Sequence, residues 1–237
     1  LDTTCNMMCR ICQPSQSSKW ASASGVIDEL NNLHPMKNSR YSKQTIDTSN
    51  KDHFRRVFLN SDLTNLSRIR INGGEPFYSK NLLPVLYKID KDAGLENVQL
   101  EFNTNGSIFP KKEILELLLK AKKLVIEFSI DAVGKLAEVT RYGESWKTIE
   151  LTVEKWKTNF PNADFSLHTV ISLLNLSQLN ELRKWTDKIQ IQWCWSFLLG
   201  PRHLSVYQLS QEDKNLLFKN MEDFPEKISL YDELMIQ

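Results

Sequence analysis

The sequence predicts an α/β fold, a partial (β/α)6 TIM-like barrel of parallel strands around a polar lumen, and three observations predict it. From about residue 68 onward, strand-like and helix-like segments take turns. The helical segments between strands are long enough to carry right-handed crossovers, which make neighbouring strands parallel. The strands themselves alternate polar and apolar residues, so each turns one wet face to the same side. A closed eight-stranded barrel fills its interior with Val, Ile and Leu. Six strands that do not close can keep a wet interior for ligands. The competing reading is an open antiparallel sheet with one solvated face, which the intervening helices disfavour.

The first strand is read as ending near Thr3, and Leu1-Asp2-Thr3-Thr4 look like the tail of a strand whose beginning is missing, as in a fragment. Residues 13–67 form an irregular insertion: Pro14-Ser15-Gln16-Ser17-Ser18 is loop-like, and Gly25–Leu33 and Asp52–Leu59 are short helix candidates. Arg68–Asn72 is the second strand, with Arg68, Arg70 and Asn72 set against Ile69 and Ile71. Asn97–Asn103 sets Gln99, Glu101 and Asn103 against Val98, Leu100 and Phe102. Lys123–Ser129 sets Glu127 and Ser129 against Leu124, Ile126 and Phe128. Asp164–Ser172 opposes Ser166 and His168 to Phe165, Leu167 and Ile171. Lys188–Phe197 opposes Gln190, Gln192, Cys194 and Ser196 to Ile191, Trp193, Trp195 and Phe197. Helices are predicted over Ser79–Ala93, Lys111–Lys122, Ser145–Asn159 and Ser177–Thr186, each with apolar residues at i, i+3 and i+4, such as Ile114, Leu117, Leu118 and Ala121. A barrel core over residues 1–210 is then followed by a C-terminal helical extension, 211–237, whose end, Asp223–Gln237, reads either as packing on the barrel or as part of something truncated.

Composition narrows the function. A hydrophobic share of 41% supports a packed core rather than a disordered chain. The formal net charge of +1 lacks the basic surplus of a nucleic-acid binder. No run of about 18 apolar residues marks a membrane span, and no charged-then-apolar leader opens the chain. Three of the four cysteines fall within eight residues, which suits metal ligation in a reducing compartment better than a disulfide scaffold. The expected location is cytoplasmic.

Cys5-Asn6-Met7-Met8-Cys9-Arg10-Ile11-Cys12 is a C-x3-C-x2-C run. Thiolates are natural ligands of iron–sulfur clusters. Three of them on one tight loop can hold three corners of a cubane and leave the fourth iron open, as catalytic zinc keeps an open position. Structural zinc is the alternative, with Cys194, His34 or His53 as fourth ligand, and chance clustering is another. Gly73-Gly74-Glu75-Pro76 follows the second strand directly. Two glycines let backbone carbonyls approach a ligand, and Glu75 can offer a carboxylate to an ammonium.

Together these two motifs resemble those of the radical S-adenosylmethionine (SAM) superfamily, and the resemblance covers most of residues 1–210. It implies a 4Fe–4S cluster on Cys5, Cys9 and Cys12, and SAM bound with its amino group at Gly73, Gly74, Glu75 and Pro76. It further implies Ile11 beside the adenine and Asn105 in a Thr104-Asn105-Gly106 turn at the end of the third strand. Ser129 and Asp131 would meet the ribose or methionyl part, and Arg141 the SAM carboxylate. Cys5-Asn6, Ser129-Ile130-Asp131 and Pro201-Arg202-His203-Leu204 resemble the SPASM/twitch branch. The auxiliary-cluster cysteines of that branch are absent from this chain, since only Cys194 lies beyond Cys12.

The implied activity is reductive cleavage of SAM to a 5′-deoxyadenosyl radical that abstracts hydrogen from a substrate. The implied partners are a flavodoxin- or ferredoxin-type electron donor and a peptide, protein or small-molecule substrate. Glu101, Glu127, His168, Gln192 and Cys194 would line the substrate path, and Trp193 and Trp195 would pack on the other face. A zinc-stabilised binding module and a scaffold that has lost catalysis remain as alternatives.

Overall fold

The computed structural model describes residues 1–12, 16–23, 56–220 and 227–235. The helix candidate Gly25–Leu33, His34, His53 and most of the insertion lie outside these residues. Of the candidate Asp52–Leu59, residues 56–59 are described, within a helical stretch over 56–60.

Five strands form one sheet: β2 (Arg68–Ile71), β3 (Gln99–Thr104), β4 (Lys123–Ser129), β6 (Asp164–Ile171) and β7 (Gln192–Phe197). Their order is β2-β3-β4-β6-β7, and every neighbouring pair is parallel. The antiparallel alternative is thereby set aside. Two further strands of two residues each, β1 (Met8–Cys9) and β5 (Arg141–Tyr142), pair antiparallel with Cys9 opposite Arg141.

The expected sixth parallel strand takes another form. Residues Leu1–Thr4 run beside the turn after β2 in the same direction, with Gly74 N–H donating to Asp2 O and Glu75 N–H to Thr4 O, both at 2.8 Å. The spacing of these bonds is not that of a regular ladder. The sequence also predicts β7 from Lys188, whereas the preceding helix continues to Ile189 and closes on Gln190 in a left-handed turn (φ 53°). Gln190 therefore caps a helix and leaves the polar row of the strand.

The crossovers follow from side-chain spacing. Helix Leu82–Asp92 buries Leu82, Val85, Leu86 and Ile89, one stripe at helical period. Lys112–Leu118 buries Ile114, Leu117 and Leu118. Trp146–Asn159 starts on Ser145, whose hydroxyl accepts the Thr148 N–H, and buries Ile149, Thr152, Val153 and Trp156. Leu179–Ile189 buries Leu179, Leu182, Trp185 and Thr186. These stripes meet the apolar sheet face, where Leu100, Phe102, Ile126, Phe128, Leu167, Ile171 and Trp193 are buried. Trp156 is the hub, with ring centroids 4.9 Å from Phe77, 5.4 Å from Phe109 and 5.4 Å from Phe160.

Register aligns the polar residues into rows. Arg70 stands beside Glu101, Asn103 beside Glu127, Ser166 and Gln192, and Ser129 beside His168 and Cys194. Arg68, Arg70 and Gln99 all donate to the Glu101 carboxylate, and Asn103 donates to Glu127. Beyond the sheet, helices Gln211–Asn220 and Lys227–Met235 pack together through Phe218 and Tyr231.

Candidate functional site

The cysteine loop is an extended segment whose alternate residues face opposite ways. Cys5, Met7, Cys9 and Ile11 line one cavity, while Asn6, Met8 and Arg10 line a groove on the other side. Pairing with β5 holds the middle of the loop, and Arg10 N–H donates to Thr140 O at 2.8 Å. The short helix Ser18–Ser22 and the residue before it hold the rest. Cys5 N–H donates to Ser18 Oγ (3.0 Å), Ser17 Oγ to Met7 O (2.8 Å) and Trp20 Nε1 to Cys9 O (2.9 Å). Cys12 N–H turns back onto Cys9 O at 3.0 Å, which brings the third thiol round to the same cavity.

That cavity, of about 540 Å³, is lined by all three thiols together with Ile11, Gly73, Gly74, Asn105 and Arg141. Gly74 has to be glycine here. A Cβ would lie 2.6 Å from the carbonyl oxygens of both Thr3 and Thr4, and one on Gly73 would lie 2.8 Å from Asp2 O. The glycines thus admit the N-terminal segment as well as a ligand. Asp2 anchors that segment by accepting from Ser79, Asn81 and the Thr4 N–H. Burial raises its pKa, but these donors outweigh burial and hold it below its ordinary value.

Arg141 carries positive charge into the cavity. It is 9% exposed, and its Nε donates to Asp131 Oδ2 at 2.7 Å. Its Nη1 lies 3.8 Å from Cys9 Sγ. Burial pushes the Cys9 thiol up to about 12 although Arg141 works against it, and burial also raises Cys5. Thiols this reluctant to ionise become thiolates only through a strong local cation such as bound iron. All three cysteines line this one cavity. Among the described residues no three His, Cys, Asp or Glu side chains converge on a point fit for one metal ion. Cys194 lies mid-sheet beside His168, away from this cavity, so it adds no fourth zinc ligand. Three thiols around a space beside a cation fit a multi-iron cluster.

Several expected residues stand elsewhere. The Glu75 side chain is 0% exposed and does not line the cavity. Its oxygens accept from Asn105 N–H (2.7 Å), Thr104 Oγ1 (2.8 Å) and Phe77 N–H (3.2 Å), so the carboxylate is turned to donors within the chain. Pro76 is buried as the first residue of the 3-10 turn Pro76–Tyr78 that Glu75 caps. Asp131 is occupied on both oxygens, by Arg141 and by Val170 N–H at 2.9 Å, and acts by holding Arg141. Ser129 ends β4 in the row of His168 and Cys194, outside the cavity lining. Asn6, Asp2, Ser17, Ser18 and Trp20 escape the sequence reading. Only Asn6, next to Cys5, carries a signal that could have found it.

Comparison with known proteins bears on this cavity. The profile of the Radical SAM superfamily matches residues 3–186. A GTP 3′,8-cyclase of Desulforamulus reducens is 25% identical over 155 residues, covering 63% of this chain and 40% of the cyclase. Among solved structures, anSMEcpe with bound AdoMet aligns over 99% of this chain and 60% of its own length, at TM-score 0.58 and 16% identity. Streptococcus suis SuiB bound to its precursor peptide SuiA aligns over 92% of this chain and 43% of its own, at TM-score 0.54 and 14% identity. At such identities the two structures share the fold, a partial barrel. The chain spans about two fifths of the cyclase and between two fifths and three fifths of these structures.

Proposed function

The chain belongs to the Radical SAM superfamily, and from that premise we propose that it is a radical SAM enzyme holding a 4Fe–4S cluster on Cys5, Cys9 and Cys12. What supports the reading most is that the three thiols, the Gly73–Gly74 ledge and the Arg141 guanidinium line one cavity. When bound, the cluster and SAM supply one-electron cleavage of the sulfonium C–S bond, giving methionine and a 5′-deoxyadenosyl radical that takes hydrogen from a substrate.

The chain's own residues hold, orient and exclude water. Gly73 and Gly74 bring bare backbone to the SAM ammonium, and Arg141, fixed by Asp131, meets the SAM carboxylate. Ile11 gives the adenine an apolar neighbour beside Cys12. Asn105 lines the same cavity. The polar rows of the sheet, with Glu127, His168, Gln192, Cys194 and Ser129, offer hydrogen-bonding groups to a substrate. The electron comes from a flavodoxin- or ferredoxin-type donor in a reducing, cytoplasmic setting. Among the described residues no helix is long and apolar enough to cross a membrane.

The substrate we favour is a peptide or protein. SuiB, which shares the fold, is bound to a precursor peptide. A nucleotide is the second reading, favoured by the 25% identity to a GTP 3′,8-cyclase.

Anaerobic reconstitution followed by SAM and dithionite tests the chemistry. The expected outcome is 5′-deoxyadenosine and methionine, both abolished in Cys9→Ala. Zinc without iron or sulfide after anaerobic purification would favour a binding module. An intact cluster with no 5′-deoxyadenosine would favour a scaffold without catalysis.

A further inference from the structure

Glu75 is a buried carboxylate outside the cavity lining, although it follows the Gly73–Gly74 ledge directly in the chain. Its contacts close a ring. Its backbone N–H donates to Thr4 O at 2.8 Å, and its carboxylate accepts the Asn105 N–H at 2.7 Å. Asn105 Nδ2 in turn donates to Asn6 Oδ1 at 2.9 Å. Thr4 and Asn6 are the two neighbours of Cys5. The circuit Thr4–Cys5–Asn6–Asn105–Glu75 therefore grips the first cysteine from both sides.

The ring is braced outside as well. Asn105 Oδ1 accepts from the Ser107 N–H (3.0 Å) and hydroxyl (2.6 Å), and Asn6 Nδ2 donates to Ser107 Oγ at 2.9 Å. Thr104 Oγ1 and the Phe77 N–H both donate to the other carboxylate oxygen, Oε1, at 2.8 and 3.2 Å. A carboxylate whose two oxygens both accept from its own chain, with no solvent-exposed surface, sets the position of others.

We infer that Glu75, acting through Asn105 and Asn6, is the positioning residue that fixes Cys5 relative to the Gly73–Gly74 ledge. This rests on the proposed function and deepens it. One carboxylate couples the element that carries a cluster ligand to the element that carries the cofactor ledge. A change at Asn6, outside the cavity, then reaches the cluster as surely as a change at Glu75.

The test uses the reconstituted chain and three variants, Glu75→Leu, Glu75→Gln and Asn6→Ala. The readouts are the EPR spectrum of the reduced cluster before SAM is added and the SAM dissociation constant. Glu75→Leu and Asn6→Ala are expected to shift the SAM-free spectrum and to weaken SAM binding about tenfold, the scale of one buried hydrogen bond. Glu75→Gln keeps an oxygen for the Asn105 N–H and can donate to Thr104 Oγ1, and it gives up only the longest of the three bonds, the one from the Phe77 N–H. It is expected to stay close to the parent in both readouts.

A direct contact between the carboxylate and the SAM ammonium makes the opposite forecast. Glu75→Gln, which lacks the charge, would then be as poor as Glu75→Leu, Asn6→Ala would match the parent, and every SAM-free spectrum would stay unmoved. That pattern overturns the inference. Should Glu75→Leu not fold, the contrast between Glu75→Gln and Asn6→Ala decides alone. A parent chain that takes up no iron–sulfur cluster sinks the proposed function itself, a result distinct from any difference among variants.

Discussion

Two carboxylates toward opposite ends of β3, Glu75 held at Thr104 and Asn105 and Glu101 within the strand's first half, are both withdrawn from solvent at 0% and 2% exposure. Their acidities diverge all the same. Burial pushes Glu75 up to about 7, and hydrogen bonds from Asn105, Thr104 and Phe77 offset only part of it. Glu101 is drawn down to about 2, by Arg68 first and then by Arg70 and Gln99 against the effect of burial. The difference lies in the donors. The cluster end answers its buried carboxylate with neutral N–H and O–H groups, which fix direction but neutralise nothing. The far end answers with two guanidiniums on half-exposed side chains. At the cluster end the positive charge of Arg141 is held by Asp131 beside the Cys9 thiol, and it lowers Glu75 less than any of those hydrogen bonds does. A cationic clasp at the far end ties β2 to β3.

The largest expected effect comes from removing the packing behind the neutral cage. Trp156 touches Phe77, two residues after Glu75. Trp156→Ala should lower unfolding free energy by about 3–5 kcal/mol, the usual cost of an aromatic deleted from a core. By letting water reach Glu75 it should bring the Glu75 pKa down and leave Glu101 where it is. Denaturant titration and carboxyl NMR of the two residues check both halves.

Next comes pH. The folded pKa of Glu75 is raised from 4.5 to about 7, so its contribution to stability is fully present below pH 4.5 and lost as pH rises through 7. The loss is on the order of 3 kcal/mol. Glu101 runs the other way. Its folded pKa is lowered from 4.5 to about 2, so its contribution is present above pH 4.5 and disappears as pH falls through 2. Unfolding free energies from pH 2 to 8 should therefore flatten between 4.5 and 7 in Glu75→Gln, and below 4.5 in Glu101→Gln. The second change is the smaller, because exposed partners are screened by water. Identical profiles for the two variants would erase the contrast.

The smallest effect on stability should come with a specific effect on the cofactor. Gly74→Ala must move the ledge away from the Thr3 and Thr4 carbonyls, an overpacking cost of about 1–3 kcal/mol. Because the ledge itself moves, SAM affinity should fall by roughly 10- to 100-fold on the same scale. Calorimetric titration of SAM into the reconstituted variant reads this directly.

Much of the fold is legible along the chain because its signals are periodic. Ile114, Leu117 and Leu118 announce a helix stripe, and Glu101 between Leu100 and Phe102 announces a strand with one polar face. The boundary of β7 was not legible, since Gln190 reads equally well as strand polar residue or helix cap until its backbone turns left-handed. Nor were β1 and β5, because strands of two residues are too short to carry any period. At the site, the residues of the Cys5–Cys12 spacing and of the Gly73–Gly74 pair line one cavity, whereas the carboxylates of Glu75 and Asp131 are turned to partners within the chain.

By itself the sequence determined which residue types are available and how they repeat: three thiols on one loop, a glycine pair after a strand, and polar faces on successive strands. Only the tertiary structure decided what each polar group spends its bonds on. Arg141 reaches Cys9 across 132 positions of chain, and Asn105 reaches Asn6 across 99. Periodicity is a property of neighbours along the backbone, whereas a hydrogen bond belongs to whichever donor folding brings within about 3 Å.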